Sequence, residues 1–374
     1  MTPHSELPPA LAWLQALRQP QLALAWNPGE WERVVRLSRR LRLLGRLAEN
    51  IVGAGLMGAV PGEAARHLVA ELQYSRWRSA ALVWVLERVP AMLGNVPYPL
   101  VLLKGAAYIG QNLPIALGRL PSDADILVPR AHLTDAQERL VRVGWSEEAL
   151  DEHDRRYYRE WSHEVPPMRH PLHGVELDLH HNIVPPVAHM RVDADLLLAR
   201  LQPSKWPRWQ VLHPADQVLH CAVHLFQDSE ARDRLRDLVD LDGLLRSFGQ
   251  ELDFWEQLTA RARELGLCEP LALACHFTGR WLQTPIPAGV NRRIQADGPR
   301  RLHRAWLHPV LACVLTPTEP DFSPKLRQDL AAHVVLARYH YRRLPLRLLL
   351  PHLWHKLRKA YDTAAPEVAA AQRQ

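Results

Sequence analysis

Acidic side chains recur at alternate positions in two short segments of the chain. Asp123 and Asp125 stand at the start of an apolar run. Glu176, Asp178 and His180 alternate with leucines in a second run further along. Because alternate residues of an extended strand point to the same side, each run would present its polar groups on one face. Converging carboxylates bind hard divalent cations such as Mg²⁺, whose remaining positions are filled by waters and substrate phosphates. These residues therefore indicate metal-assisted transfer of a nucleotidyl or phosphoryl group.

A second set of residues suits the binding of phosphate. A short apolar run ends at Lys104-Gly105 and continues into residues that favour a helix. Such a strand–glycine–helix junction lets backbone N–H groups and a helix N-terminus meet phosphate oxygens, and the lysine adds a positive charge. Arg119 and Ser122 stand just before Asp123, where they would donate hydrogen bonds to a triphosphate. The two sets together predict a site for a metal ion and a nucleotide.

These motifs resemble those of the nucleotidyltransferase superfamily of DNA polymerase β type. The resemblance is carried by LLKGAAY at 102–108, RLPSDADILV at 119–128 and VELDLHH at 175–181. Within the superfamily, the chain is most similar to the bacterial uncharacterised nucleotidyltransferase family, and it is also similar to the transferases of abortive-infection toxin–antitoxin systems. The motifs cover about 97–185, and the flanking helices resemble the family more loosely.

The resemblance implies a role for each matched residue. The implied metal ligands and catalytic groups are Asp123, Asp125 and Asp178, of which Asp178 would help to activate the attacking hydroxyl. The implied nucleotide-binding residues are Lys104, Gly105, Arg119, Ser122 and His180. The cofactor would be Mg²⁺, with Mn²⁺ as the alternative. A nucleoside triphosphate would give its nucleoside monophosphate to an acceptor hydroxyl of a protein, an RNA or a small molecule, and pyrophosphate would be released.

The chain departs from the family pattern at one position. The superfamily usually has Gly-Ser at the phosphate loop, whereas this chain has Gly105-Ala106. Lys104 or Ser122 would then have to replace the missing hydroxyl. A nucleotide-binding regulatory protein of the same fold, with weakened catalysis, is therefore the alternative function.

Two further groups of polar residues each leave two interpretations open. His220 and His224 are four residues apart on a predicted helix. This spacing is found in metal sites, but it also occurs at core and capping positions, and a core or capping role is the favoured interpretation. Arg236, Asp237 and Asp240 would either contact the base or the acceptor, or form ion pairs along an amphipathic helix. The ion pairs are slightly favoured.

Hydrophobic periodicity divides the chain into three predicted regions. Residues 1–96 repeat apolar side chains at helical steps and form the N-terminal helical region. Residues 97–200 change to short apolar runs and form the nucleotidyltransferase core. Residues 201–374 are helical again and form the C-terminal helical domain. The predicted fold class is α+β, with a small mixed nucleotidyltransferase sheet flanked by helical regions on both sides.

The middle region has a predicted order of strand, helix, strand, helix and two more strands. The predicted strands are 100–103, 123–128, 163–168 and 175–181, and the predicted helices are 106–112 and 134–143. Thr134 and Gln137 have the spacing of a capping box at the start of the second helix. The last two strands would pair in antiparallel orientation across 169–174.

Composition describes an ordinary folded protein of 374 residues, 47% hydrophobic and 23% charged. The chain has no apolar run of about 18 residues, so no transmembrane segment is expected. Met1–Glu6 do not resemble the start of a secretory signal. Four scattered cysteines without a Cys-x-x-Cys motif suit a reducing compartment. The expected location is the cytoplasm.

The chain is basic, with a formal charge of +6 and an isoelectric point near 9.3. A nucleotide pocket and arginine-rich helix surfaces account for this charge, and a nucleic-acid or other acidic partner is the alternative. The basic C-terminal region, 338–359, would make a weak contact with an anionic surface or an RNA. Because Pro345 and Pro351 interrupt its helix, packing against the rest of the protein is the default expectation.

Overall fold

The fold combines long helices with one mixed sheet, as a computed structural model of residues 8–227, 232–345, 347–355 and 358 shows. The predicted α+β class is therefore confirmed. The helices before the sheet are α1 (Pro28–Arg40), α2 (Leu44–Gly53) and α3 (Gly62–Leu93), with short 3-10 helices at Pro9–Leu17, Pro20–Ala25 and Met57–Ala59. No helix among these described residues is both long enough and apolar enough to cross a membrane.

The sheet contains seven strands within the described residues, in the order β3-β4-β5-β2-β1-β7-β6. The strands are β1 (Leu100–Leu102), β2 (Asp123–Leu127), β3 (Ser146–Glu147), β4 (Met168–His170), β5 (His173–His180), β6 (Gln202–Pro203) and β7 (Trp209–Val211). Strand β2 pairs with β5 in parallel, and β1 pairs with β7 in parallel. The remaining pairs are antiparallel. The two parallel pairs explain why the sheet is mixed.

Helices also connect the strands and follow the sheet. The connecting helices are α4 (Lys104–Gly110), α5 (Leu133–Arg142), α6 (Glu152–Arg156) and α7 (Ala194–Leu198). The helices after the sheet are α8 (Pro214–Phe226), α9 (Leu235–Phe248), α10 (Phe254–Glu264), α11 (Cys268–Trp281), α12 (Ala288–Asp297), α13 (Arg301–Leu315) and α14 (Leu326–Arg343). A π-helical turn at Tyr157–Trp161 continues α6, and 347–355 are helical beyond α14.

Buried aliphatic residues hold the centre of the sheet in place. Ala124 and Ile126 of β2 and Leu177 and Leu179 of β5 are fully buried, and they alternate with the polar residues of the same strands. Helix α3 packs against β2 and β5. Burying one aliphatic side chain of this size contributes about 1.5–3 kcal/mol, so this face fixes which side the polar residues occupy.

Two glycines allow the N-terminal helices to approach the sheet closely. Gly45 at the start of α2 lies against Gly118 in the loop before β2, and a Cβ atom on either residue would overlap the backbone of the other. Gly118 also has a φ of +67°, which L side chains rarely adopt. Nearby, the Arg46 guanidinium donates hydrogen bonds to the carbonyls of Pro114 and Ile115. The loop before β2 is thus held by α2.

Some predicted element boundaries and one predicted cap differ from the structure. Helix α4 begins at Lys104, two residues before the predicted start. The predicted capping box is wrong: α5 begins at Leu133 without a side-chain cap, because the Gln137 amide donates to Glu147 instead. The predicted strand 163–168 is largely wrong: β4 runs over Met168–His170, mostly within the predicted loop, and before it the chain forms an isolated bridge from Glu164 to His180. The antiparallel orientation relative to β5 is as predicted, with His170 opposite His173.

The C-terminal prediction is only partly covered by the described residues. Helix α14 ends at Arg343, just before the predicted break at Pro345. Residues 346, 356–357 and 359 of the basic C-terminal region lie outside the described residues, as do residues 360–374. Residues 1–7, on which the prediction about a secretory signal rests, also lie outside them.

Candidate active site

The parallel pairing of β2 with β5 brings the predicted carboxylates together. The register places Asp125 opposite Asp178 and Asp123 opposite Glu176. The carboxyl oxygens of Asp125 and Asp178 and a ring nitrogen of His180 lie within 4.8 Å of one another. These side chains share one face because they occupy alternate positions in adjacent strands.

Asp125 is buried and has two cationic or proton-donating neighbours. The Lys104 ammonium donates to Asp125 Oδ1 over 2.7 Å, and His180 Nε2 lies 3.0 Å from the same oxygen. Burial alone would raise the pKa of Asp125, but the Lys104 charge and the His180 contact outweigh it and hold the pKa well below its ordinary value. Lys104 and His180 therefore favour the charged form of the Asp125 carboxyl.

Asp178 has the opposite electrostatic environment. Its Oδ1 is buried and has no hydrogen-bond partner among the described residues. Burial raises the pKa of Asp178 to about 7, and the neighbouring Asp125 and Asp123 charges add to this effect. An orphaned carboxylate oxygen beside a second, charged carboxylate is a donor set that a divalent cation fits, because the ion would relieve both the desolvation and the repulsion.

Lys104 and Gly105 form the junction between β1 and α4. Lys104 has a φ of +44°, an uncommon conformation for a residue with a side chain. Its pKa is raised: burial acts to lower it, but the charges of Asp125 and Asp123 prevail. Gly105 leaves room for a neighbour, since a Cβ atom there would overlap the guanidinium of Arg119.

The structure gives protein partners to the two predicted donors before β2. Ser122 Oγ donates to Asp123 Oδ1 over 3.0 Å. Arg119 Nε donates to Asp240 Oδ2 of α9 over 2.9 Å, and its guanidinium lies 5.5 Å from the centre of the Tyr108 ring. Ser122 thus touches the carboxylate group, whereas Arg119 is held beside Gly105 by an ion pair.

Arginines collect near Asp123, and one of them, Arg42, was not selected by the sequence analysis. Partial burial lowers the pKa of Arg42, and the nearby Arg236 charge lowers it further, while Asp123 opposes the shift. Arg42 lies between α1 and α2 with a φ of +57°. Arg236 of α9 has a buried Nη1 with no hydrogen-bond partner among the described residues. We call Arg42 and Arg236 the Arg42–Arg236 pair. The sequence signal that could have indicated Arg42 is the arginine-rich stretch 33–46.

The two groups that had open interpretations are largely engaged within the protein. Asp237 receives Arg236 Nε at 3.3 Å and lies 3.4 Å from His224 Nδ1, and these contacts outweigh its burial and hold its pKa well below the ordinary value. The favoured interpretation, ion pairs along one helix, is therefore confirmed for Arg236 and Asp237, whereas Asp240 pairs with Arg119 in the loop before β2. His220 is buried, and burial lowers its pKa.

Glu164 is a second acidic residue that the sequence analysis did not select. Its Oε2 lies 3.4 Å from His180 Nδ1, and His163, Glu164 and His180 place ligand atoms within 4.8 Å of one another. Glu164 and His163 also line a cavity beside Lys104. A single glutamate in the segment His163-Glu164-Val165 carries no spacing signal, so only the bridge from Glu164 to His180 reveals it.

Comparison with known protein families matches residues 27–283 to a family described as uncharacterised nucleotidyltransferase. The match covers about two thirds of the 374 residues and includes β1, β2, β5 and the helices α4, α8 and α9. Searches among curated proteins and among solved structures give no match.

Proposed function

The chain belongs to the uncharacterised nucleotidyltransferase family, and we propose that it transfers a nucleoside monophosphate from a nucleoside triphosphate to an acceptor hydroxyl. The hydroxyl oxygen forms a bond to the α-phosphorus, the bond from this phosphorus to the bridging oxygen breaks, and pyrophosphate leaves. The hydroxyl proton passes to a base. The acceptor is a protein side chain, an RNA end or a small molecule. The wider relation to polymerase β-type and abortive-infection transferases stays a prediction.

The observation that carries this proposal is the alignment of Asp125 with Asp178 across two parallel strands. One Asp178 oxygen there has no hydrogen-bond partner in the part of the chain that the structure describes. Asp123, Asp125 and Asp178 would hold Mg²⁺, or Mn²⁺ as the alternative. When bound, the ion supplies charge neutralisation for the phosphates and for the in-line transition state. Asp178 would also orient or deprotonate the acceptor hydroxyl.

The remaining site residues would position the nucleotide. Lys104 and Gly105 present an ammonium group and the start of α4 to phosphate oxygens, and Ser122 adds a hydroxyl. His180 keeps Asp125 in place through their 3.0 Å contact and would also approach a phosphate. Arg119 packs against Gly105, because its guanidinium occupies the space that a side chain at position 105 would fill.

The Arg42–Arg236 pair supports a place for the outer phosphates. Two guanidinium groups near Asp123 raise the local positive charge, and Arg236 holds a buried N–H group that has no acceptor among the described residues. Guanidinium groups bind phosphate oxygens in bidentate geometry. The β- and γ-phosphates would lie at this pair while the α-phosphate lies at the carboxylates.

The test measures pyrophosphate release and transfer of labelled nucleotide to components of a cell extract. We expect Asp125→Asn and Asp178→Asn each to lower both signals by about 100-fold or more, since each removes a ligand charge from the reacting centre. Glu176→Gln is the matched control, because Glu176 lies in the same strand but pairs with Arg169 at 2.6 Å. Signals equal to wild type in both asparagine variants would overturn the proposal.

The alternative is a nucleotide-binding regulatory protein without turnover. The observation that favours it is Ala106, a buried residue of α4 that replaces the usual loop serine. Binding of a triphosphate with Mg²⁺ in calorimetry, without pyrophosphate release from any acceptor mixture, would select this function. Restoring the hydroxyl with Ala106→Ser would then be expected to raise the rate of release.

A further inference from the structure

A cavity of about 180 Å³ lies beside Lys104. Its wall is formed by His163 and Glu164 before β4, by the loop after β5, and by the ends of α8 and α14. The Arg42–Arg236 pair does not line it. A separate cavity, partly open to solvent, therefore lies near the carboxylates, in addition to the arginines.

The cavity combines apolar walls with polar groups that lack partners. Ile183, Val184 and Val223 give it a hydrocarbon surface and are themselves buried. Gln227 Nε2 and His163 Nδ1 belong to lining residues, are buried, and have no hydrogen-bond partner among the described residues. Buried polar atoms without partners cost free energy, and a ligand in the cavity that supplied an acceptor or a donor would offset this cost.

The two arginines that line the cavity each contact another side chain of the protein. Arg342 forms an ion pair with Glu269. Arg343 lies over the rings of Tyr157 and Tyr339, at 5.7 and 5.3 Å from their centres. The Glu164 carboxylate in the wall would repel a phosphate but would accept a hydrogen bond from a sugar hydroxyl.

We propose that this cavity binds the base and sugar of the nucleoside triphosphate. A nucleobase has two flat apolar faces and a polar edge, which match the aliphatic walls and the amide of Gln227. The ribose would lie at Glu164, next to Lys104 and the carboxylates. This inference rests on the proposed function, because it assigns the nucleoside half of the same substrate.

The experiment compares two ligands by calorimetry in the presence of Mg²⁺. One is a nucleoside triphosphate with a non-hydrolysable α,β-methylene bridge, tested with each of the four bases. The other is inorganic tripolyphosphate, which has the anionic part alone. Gln227→Met removes the amide at nearly constant volume, and Val223→Phe fills the cavity. Gln73→Met, at an exposed position of α3 that does not line the cavity, is the control.

We expect Gln227→Met and Val223→Phe each to weaken binding of the best nucleotide about tenfold or more, since each removes contacts to the nucleoside. Tripolyphosphate binding should stay within about twofold of wild type, because the phosphates lie elsewhere. Gln73→Met should change neither. Circular dichroism and the melting temperature of each variant establish that it is folded.

Three outcomes would contradict the assignment. Nucleotide affinity that is unchanged in folded Gln227→Met overturns it directly. Equal weakening of nucleotide and tripolyphosphate assigns the cavity to phosphate instead. Unchanged nucleotide binding with slower transfer to the acceptor assigns the cavity to the acceptor. Failure of the wild type to bind either ligand is a different result, since it overturns the proposed function itself.

Discussion

At the scale of single residues, the close placement of the Asp123, Asp125 and Asp178 carboxylates destabilises the metal-free fold. Asp178 is largely buried next to Asp125 and Asp123, and its Oδ1 has no partner among the described residues. Two close carboxylates in a poorly hydrated place repel each other. Such strain is expected where binding of a cation is to be favourable, and it can be measured without any assay of activity.

We predict that Asp178→Asn stabilises the metal-free protein by about 1–2 kcal/mol, because an amide removes the repulsion between carboxylates. The variant should melt a few degrees higher than wild type in a chelator and should lose most of the melting-temperature increase that Mg²⁺ gives. Glu176→Gln, in the same strand, should keep that increase. A wild-type response to Mg²⁺ in Asp178→Asn would remove Asp178 from the metal site.

A histidine outside the candidate site gives a prediction about pH. Burial lowers the pKa of His276 to about 4, with help from His308, whose ring centre is 3.9 Å away, and from Arg280 and Arg304. An unfolded histidine has a pKa of about 6.5, so the unfolded chain takes up this proton first as pH falls. The associated stability is complete above pH 6.5 and is lost as pH falls towards about 4.

We therefore expect His276→Gln to be less sensitive to acid than wild type by about 1–2 kcal/mol between pH 7 and pH 4.5, after allowance for partial exposure of the ring. Denaturant unfolding at several pH values measures the difference. His67→Gln, at an exposed position of α3, should follow the wild-type curve. Parallel curves for wild type and His276→Gln would contradict the assignment of this pKa.

At the scale of the secondary-structure elements, contact between α2 and the loop before β2 fixes the position of the segment that leads into Arg119. Gly118 combines a left-handed backbone with a close contact to Gly45, whereas Gly55 has a similar φ of +71° and nothing within 4 Å of its Cβ position. Comparison of the two separates the cost of the backbone conformation from the cost of the overlap.

Gly55→Ala is expected to destabilise the protein by about 1 kcal/mol, through the left-handed conformation alone. Gly118→Ala should cost at least about 2 kcal/mol more, because α2 must move away from the loop. Chemical denaturation of the two variants measures both values. Equal losses would mean that the contact between α2 and this loop yields without strain.

The sequence predicted the elements that carry strong local signals. Alternation was sufficient to place Asp123 with Asp125 on one face of β2, and Asp178 with His180 on one face of β5. The register that brings Asp125 opposite Asp178 depends on the pairing of the two strands. Local signals failed where a partner distant in sequence decided the outcome. Gln137 donates to Glu147 rather than capping α5, and the charge of Asp123 acts on Arg42, which is about 80 residues away in the sequence.

At the scale of the whole molecule, a buried ion pair between Arg261 and Asp216 connects helices α10 and α8. Arg261 of α10 donates to Asp216 of α8 at 2.6 and 3.0 Å, and both side chains are at most 1% exposed. Arg261 also donates to the carbonyl of Leu196 in α7. Val223 lies near the other end of α8 and Gln227 directly follows its last residue, so this pair supports one wall of the cavity.

We predict that Arg261→Met lowers the free energy of unfolding by about 3–5 kcal/mol, because it leaves the Asp216 charge buried and unpaired. Arg263→Met is the matched control: Arg263 lies on the same helix and pairs with Asp297, but it is 55% exposed. Its loss should be below about 1 kcal/mol. Urea unfolding of both variants is the measurement, and similar losses would contradict the prediction.

The register of β2 and β5 has a consequence for tolerated changes in chain length. The two strands are neighbours in the sheet although α5, β3, α6 and β4 lie between them in the sequence. An insertion in those intervening loops leaves the alignment of Asp125 with Asp178 intact. Deletion of a single residue inside either strand would turn one carboxylate to the opposite side of the sheet. We therefore expect members of the family to differ in the length of the segment between β2 and β5 while keeping this alignment.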